Sequence, residues 1–255
     1  MGALRTLFHL ILALHYGYGI NVYLYGLNPP QEIIALRKIG YGAFKYLTFW
    51  DMLLQFTYFT LAFVNDILGS SSITAKKQSA LQKFCDFYFS TVVFAIGSFV
   101  SISFWGLYNI NRDLIFPVVF DSWFPNWLNH NVHTTPLVGV LTELYLVPHT
   151  FPKRKTGLTV VTCLCLVCFI AYQSGHWVYP ILAALPLIER AVFISAMSVL
   201  ISLFYIVGEV LNRNVWDTYV HENLRSASEV FAKKSLKNIY RYIFRAHFSA
   251  MELFY

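Results

Sequence analysis

A threonine hydroxyl beside a neutral histidine is the simplest pair of nucleophile and base, and this chain carries both within apolar stretches. Thr48 lies in KYLTF, at 45–49, and His133 in WLNHNVHTT, at 127–135. Thr48 is three residues inside Lys45, and His133 is six inside Trp127, or about 4.5 and 9 Å of helix. Neutral imidazole in such a pair takes the hydroxyl proton, and the alkoxide attacks an ester carbonyl.

The neighbours of His133 supply candidates for supporting roles. Asn129 is one helical turn before His133 and predicts a group that orients the imidazole or polarises a substrate carbonyl. Glu143 comes within about 40° of Asn129 when successive residues turn by about 100°, whereas His130 points to another side. Asp51, in the stretch of Thr48, is a second candidate acid, so Asp51 and Glu143 both remain open as partners of the base.

Pro136 follows His133 closely and predicts a bend. Proline has no N–H, so the carbonyl of Val132 loses its helical partner next to His133. Such a turn is tolerated in a membrane protein where polar neighbours repair it or where it lines a cavity.

A structural interpretation stands beside the catalytic one. Histidine and asparagine within membrane helices often serve as interhelical hydrogen bonds, and threonine commonly bonds its own backbone. A polar stripe of acidic and amide side chains predicts a different function, a proton or ion path in a transporter or channel. Its members are Asp51, Gln55, Asp66, Glu143 and Glu209. Glu209 is alternatively a packing residue.

The elements that must position these side chains are transmembrane helices. Hydrophobic residues form 57% of the 255 and charged residues only 13%, and the mean hydropathy is +0.53, values far from those of a soluble domain. A window of about 20 residues selects six segments. They are 4–25, 44–66, 86–108, 126–147, 158–179 and 190–211. The prediction is an all-α integral membrane protein with six crossings.

The charges between the segments predict its orientation and domains. The two ends and the second and fourth loops hold 14 Lys and Arg, and the other loops hold 5, so both termini are expected to face the cytoplasm. Residues 1–218 are expected to form the six-helix domain and 219–255 a basic amphipathic tail. That tail suits the anionic leaflet or a disordered extension. No nucleic-acid partner is expected despite the net charge of +6, because the rest of the chain lies in lipid.

Metal and cofactor chemistry find little support in the residue pattern. His9, His15 and His176 do not supply a convincing set of paired axial ligands for haem. No spacing of His, Asp and Glu singles out the three converging ligands of a zinc hydrolase. Cys85 and the cysteines of 163–168 read as packing residues. The prediction is therefore a site with no metal and no cofactor.

Several blocks in order resemble one family of multipass proteins. They are KYLTF at 45–49, LLQ at 53–55, WLNHNVHTT at 127–135, KTGLT at 155–159, WVYP at 177–180, GEVLN at 208–212 and WDT at 216–218. Together they resemble the androgen-induced and androgen-dependent TFPI-regulating proteins, a family of membrane hydrolases of fatty acid esters of hydroxy fatty acids (FAHFAs). The resemblance implies that Thr48 is the nucleophile and His133 the base.

The resemblance and the residue pattern together predict a membrane-embedded carboxylic ester hydrolase of the threonine type. Its partners are expected to be a lipid ester substrate and membrane lipids, in the plasma membrane or the endoplasmic reticulum. The alternatives are the transporter or channel and a membrane regulator without catalytic activity.

Overall fold

A computed structural model describes residues 2–31, 33–34, 42–72, 77–170 and 179–217. The chain divides into two units, Met1–Asn212 and Arg213–Tyr255. Of the second unit only 213–217 are described, so the predicted amphipathic tail at 219–255 lies outside the described residues, as does His176.

Most of the described residues lie in helices. In chain order they are α1 Gly2–Asn21, α2 Leu47–Leu68, α3 Ala80–Tyr88, α4 Phe94–Asn111, α5 Asn126–His133, α6 Thr135–Leu146, α7 Arg154–Ile170, α8 Pro180–Ala184 and α9 Leu187–Asp217. A π-helical turn, Val22–Gly26, extends α1, and another, Phe89–Val93, joins α3 to α4 in one long rod. The predicted all-helical class is confirmed for this part of the chain.

Four of the helices described here are long and apolar enough to cross a membrane. They are Gly2–Gly26, Leu47–Leu68, Ala80–Leu114 and Leu187–Asp217, which matches four of the six predicted segments. The fourth predicted segment, 126–147, is divided at Thr134 into α5 and α6. The fifth, 158–179, overlaps α7, and its residues 171–178 lie outside the described part. The count of six crossings and the side of the termini stay predictions.

Apolar residues face outward and polar residues inward, which is the arrangement of a membrane protein. On α1, Leu4, Leu7, Ile11 and Leu14 repeat at three- and four-residue spacing, and all are more than half exposed. His9 lies on the opposite face and is buried. The apolar stripe therefore has no protein to cover it within the described chain and is suited to lipid.

Antiparallel packing of α1 on α2 forms one side of the bundle. Tyr23, after α1, contacts Phe49 at the start of α2, with ring centroids 5.0 Å apart. Arg5, near the start of α1, forms an ion pair with Asp66 near the end of α2, at 2.7 Å. The two helices therefore contact each other at both ends, through aromatic rings at one end and an ion pair at the other.

An apolar core forms where α4, α7 and α9 meet. Phe99 and Val100 of α4 pack there with Val161 of α7 and with Ile201 and Tyr205 of α9. Gly157, in the KTGLT block, lies directly against the Tyr205 ring, and a Cβ at this position would collide with that ring. This glycine therefore permits the close approach of α7 and α9.

Candidate active site

Thr48 lies in the first turn of α2, where the local sequence fixes its place. A short 3₁₀ turn, Gly42–Lys45, precedes the helix, and Gly42 has φ of 60°, which only glycine adopts without strain. Tyr46 is extended, with φ −94° and ψ 125°, so the helix begins at Leu47. The hydroxyl of Thr48 therefore lies at the positive end of the α2 dipole, which favours negative charge on it.

His133 is the last residue of α5, directly before the break that Pro136 causes. Thr134 has φ −112° and leaves the helical path, and α6 begins at Thr135. The amide of Leu137, displaced from the regular ladder, donates to the Ser101 hydroxyl of α4 at 3.2 Å. The predicted bend beside His133 is confirmed, and a side chain from a neighbouring helix repairs it.

The structure brings Thr48 and His133 together across the bundle. Oγ1 of Thr48 lies 3.4 Å from Nε2 of His133. Nδ1 of His133 lies 2.7 Å from Oδ1 of Asn129, which can only accept, so Nδ1 carries the proton in the neutral ring. Nε2 then presents its lone pair to Thr48. This is the tautomer that a general base requires.

The imidazole is held in place by stacking and burial. Phe104 of α4 lies parallel to the His133 ring, with centroids 3.4 Å apart and planes 5° apart. His133 is only 7% exposed. The ring has one orientation available, with Asn129 at one nitrogen and Thr48 at the other. The contact of 3.4 Å is long for a hydrogen bond, and such contacts commonly shorten when substrate binds.

Three other polar residues of WLNHNVHTT, namely His130, Thr134 and Thr135, stabilise the break itself. His130 turns away from Thr48, as expected, and its Nδ1 lies 2.9 Å from the Thr134 hydroxyl. Trp105 stacks on His130 at 5.5 Å and also donates to Thr134. Thr135 donates to the carbonyl of His130 at 3.2 Å. These contacts stabilise the turn that carries His133.

Asp51 lies one turn below Thr48 in α2 and is fully buried. Its Oδ1 accepts from Nε2 of Gln55 at 3.1 Å, and Gln55 also donates to the carbonyl of Val93 in the π-helical turn. Its Oδ2 has no hydrogen-bond partner among the described residues. No hydrogen bond in this part of the chain joins Asp51 to His133, because Asn129 occupies the Nδ1 position.

Glu143 belongs to a different cluster, ten residues and about 15 Å of helix from His133. Its carboxylate contacts His9 at 2.7 Å, accepts from the Tyr58 hydroxyl at 2.5 Å and lies 3.4 Å from Nε2 of His149. We call this group, with Arg5, Asp66 and Asp86, the ion network. His9 bridges Glu143 to Asp66, and His149 bridges it to Asp86.

His149, in the loop after α6, links the two sides of the ion network. Burial lowers its pKa, but hydrogen bonds and charge from Asp86 and Glu143 outweigh burial, and the pKa is raised above 6.5. Its ring also stacks on Phe89 at 4.0 Å. The ion network therefore joins α1, α2, α3 and α6 at the end of the bundle away from Thr48.

Glu209 lies in neither group. It accepts from Nε of Arg154 at 2.7 Å and so connects α9 to the start of α7, which agrees with a packing role. Among the described residues, no three or more His, Cys, Asp or Glu side chains form a group with the geometry of a metal site.

Comparison with known proteins assigns the chain to a family. The family model described as FAR-17a/AIG1-like protein matches residues 4–213. The chain belongs to the FAR-17a/AIG1-like family. Thr48, His133 and the ion network all lie within the matched residues of this family.

Relatives of the FAR-17a/AIG1-like chain cover most of its length. It is 33% identical to the human androgen-dependent TFPI-regulating protein, over 82% of this chain and 92% of that protein. It is also 33% identical to the human androgen-induced gene 1 protein, over 69% of this chain and 79% of that protein. A Schizosaccharomyces pombe membrane protein is 25% identical over 73% of this chain and 82% of its own. No solved structure matches.

Two features of the site were not predicted from the sequence pattern. Tyr179 places its hydroxyl at the start of α2, 3.1 Å from the amide of Leu47. Its WVYP block is visible in the sequence but has no helical period that would aim it at Thr48. Phe104, which stacks on His133, is one of several aromatic residues in α4 that the sequence alone does not distinguish.

Proposed function

We propose that this protein is a membrane-embedded ester hydrolase that uses Thr48 as its nucleophile and His133 as its base. The observation that supports it is the buried series Thr48, His133 and Asn129. Its contacts of 3.4 and 2.7 Å leave the imidazole lone pair facing the hydroxyl. Few structural roles need a neutral histidine with one nitrogen fixed and the other directed at a threonine.

The reaction proceeds in two halves. His133 takes the proton of Thr48 while Oγ1 attacks the ester carbonyl, and the same proton then passes to the departing alcohol. Water attacks the acyl-threonine, gives its proton to His133, and releases the fatty acid as Oγ1 recovers a proton. Asn129 keeps the tautomer, and the start of α2 favours negative charge near Oγ1.

The substrate class we propose is a FAHFA, a lipid in which the hydroxyl of one fatty acid is acylated by another. Support comes from the family resemblance of the sequence blocks and from the depth of the pair. Thr48 and His133 lie about 5–9 Å inside their flanking residues, so a substrate must lower an ester carbonyl while its carboxylate stays near the headgroups.

We also propose the membrane arrangement that the charges predict, with both termini in the cytoplasm. The pair would then open to the non-cytoplasmic side of the plasma membrane or endoplasmic reticulum. An ion path is less well supported. Its five residues divide into separate groups, with Asp51 and Gln55 near the pair, Asp66 and Glu143 in the ion network, and Glu209 on Arg154.

The test replaces each member of the pair. Thr48→Ala and His133→Ala are expected to abolish FAHFA hydrolysis and covalent labelling by a fluorophosphonate probe, while Thr48→Ser retains part of both because a hydroxyl remains. His130→Ala is the matched control on the same helix and should lose much less. Full turnover by purified Thr48→Ala would disprove the mechanism.

A further inference from the structure

The hydroxyl of Tyr179 meets the first turn of α2 beside the proposed nucleophile. It accepts from the amide of Leu47 at 3.1 Å, and Thr48 is the next residue of the same turn. Tyr179 directly precedes α8, and its ring contacts that of Tyr46 with centroids 6.2 Å apart. A second element of the fold thus reaches the turn that carries Oγ1 of Thr48.

Counting protons gives the direction of each hydrogen bond. Nδ1 of His133 donates to Asn129, so Nε2 can only accept, and the one hydroxyl proton of Thr48 goes to it. Oγ1 of Thr48 then keeps its lone pairs for a second donor. The Tyr179 oxygen accepts from the Leu47 amide, which leaves its own proton for a neighbouring acceptor. A hydrogen bond from Tyr179 to Oγ1 therefore fits the donors and acceptors already in place.

A hydroxyl that accepts from backbone amides becomes a stronger donor, because hydrogen bonds in a chain polarise one another. The amides at the start of a helix also carry the positive end of its dipole. A hydrogen bond from Tyr179 would therefore deliver the favourable potential of α2 to Oγ1 through a single O–H.

We propose that Tyr179 is a further catalytic residue, which donates a hydrogen bond to Oγ1 of Thr48 and stabilises negative charge on that oxygen. This inference rests on the proposed function. In the first half, charge develops on Oγ1 as His133 removes its proton and the bond to the carbonyl carbon forms. In the second half, charge returns to Oγ1 as that bond breaks. Tyr179 keeps its own proton throughout.

The role predicts a specific kinetic defect. Tyr179→Phe retains the ring and removes only the hydroxyl, so kcat should fall by about 10- to 100-fold, the lower end of the loss seen for one preorganised donor. KM should change by much less, because the bond strengthens only when Oγ1 is charged. The rate of fluorophosphonate labelling should fall by a similar factor, since the probe also reacts with Oγ1.

Tyr205→Phe is the matched control. It removes a hydroxyl that donates to the carbonyl of Pro152 at 3.3 Å, away from the pair, and should leave kcat and labelling unchanged. If Tyr179 only caps α2, Tyr179→Phe would lower the unfolding temperature in detergent while the folded enzyme keeps its kcat and labelling rate. That outcome would overturn the inference.

A second variant covers the case in which Tyr179→Phe does not fold. Replacement of Tyr179 by 3,5-difluorotyrosine keeps both shape and hydroxyl, and fluorine makes the phenol ionise at a markedly lower pH than that of tyrosine. Activity should then fall as the phenol loses its proton, at a pH where the natural enzyme remains active, because a phenolate cannot donate to Oγ1. An unchanged pH profile would contradict the role. Full activity in Thr48→Ala would instead refute the proposed function itself.

Discussion

Replacing Asn129 tests whether the series beyond His133 controls the base. In Asn129→Ala, the proton on Nδ1 loses its acceptor in a buried site, which costs about 1–3 kcal/mol. The ring avoids this cost by moving the proton to Nε2 or by turning, and either change withdraws the lone pair from Thr48. The active arrangement is then disfavoured by that amount, so kcat should fall roughly 5- to 150-fold.

Asn129→Asp keeps the size of the side chain and its acceptor oxygen, and so tests the role of the acceptor. A carboxylate accepts the same proton from Nδ1 and favours the imidazolium that forms during the reaction. This variant should therefore lose less kcat than Asn129→Ala. The assay is the initial rate of FAHFA hydrolysis by purified protein, with the rate of fluorophosphonate labelling measured in parallel.

Asn131→Ala controls for loss of a buried amide. Asn131 lies on the same helix, is fully buried, and donates to the carbonyl of His15 at 3.1 Å without contacting His133. It should lower the unfolding temperature while the folded enzyme keeps its kcat. If folded Asn129→Ala hydrolyses and labels at the natural rate, Asn129 does not set the tautomer, and our interpretation of the 2.7 Å contact fails.

Four further outcomes are expected. A tag after Tyr255 should be cut by added protease only once the plasma membrane is permeabilised while internal membranes stay sealed. Protection of the tag under these conditions would mean that the topology is inverted. Across FAHFA isomers, initial rates should rise as the branch moves away from the carboxylate, with phosphatidylcholine a poor substrate; a flat profile would contradict the depth argument. Glu143→Ala should destabilise the protein by about 3–5 kcal/mol, seen in denaturant unfolding, with little change in the labelling rate of folded Thr48. The raised folded-state pKa of His149 gives stability that is complete below its unfolded pKa of about 6.5 and is lost as pH rises through the folded value; His149→Gln should flatten that decline in unfolding temperature.

Local chemistry explains why part of the site was predictable. Pro136 lacks an N–H whatever surrounds it, so the break beside His133 follows from covalent structure. Thr48 and His133 were paired because both lie a few residues inside the ends of apolar segments, and helical rise converts this position into depth. The contact of 3.4 Å agrees with that estimate.

Glu143 does not lie beside His133, in contrast to the position that its helical angle predicts. Its angle to Asn129 was counted as though one helix ran through 126–147, but the break at Thr134 starts a new helix with its own direction. An angle counted along the sequence is valid only within one continuous helix. Glu143 consequently lies with His9 and His149, and the acceptor beside His133 is an amide, not an acid.

The helix that contains the third predicted crossing also starts earlier than that segment. Ala80–Leu114 begins six residues before the predicted segment, with Ser79 as its cap accepting from the amide of Gln82. Gln82 and Asp86 look like loop residues on a hydropathy scale, yet both are buried. Their burial depends on hydrogen-bond partners in other parts of the chain, Ser70 and Ser72 for Gln82 and His149 for Asp86. No window along one segment can see such partners.

The ion network has a consequence for how the protein is made. Arg5 and His9 emerge first from the ribosome, Asp66 later, and Glu143 and His149 only with and after α6. Each of these groups is costly in lipid without its partner, so α1 and α2 cannot disperse freely into the bilayer until α6 arrives. A variant that loses one member would leave an unpaired buried charge in every nascent chain. Such a variant should reveal itself through degradation during biogenesis before any defect in ester cleavage is measurable.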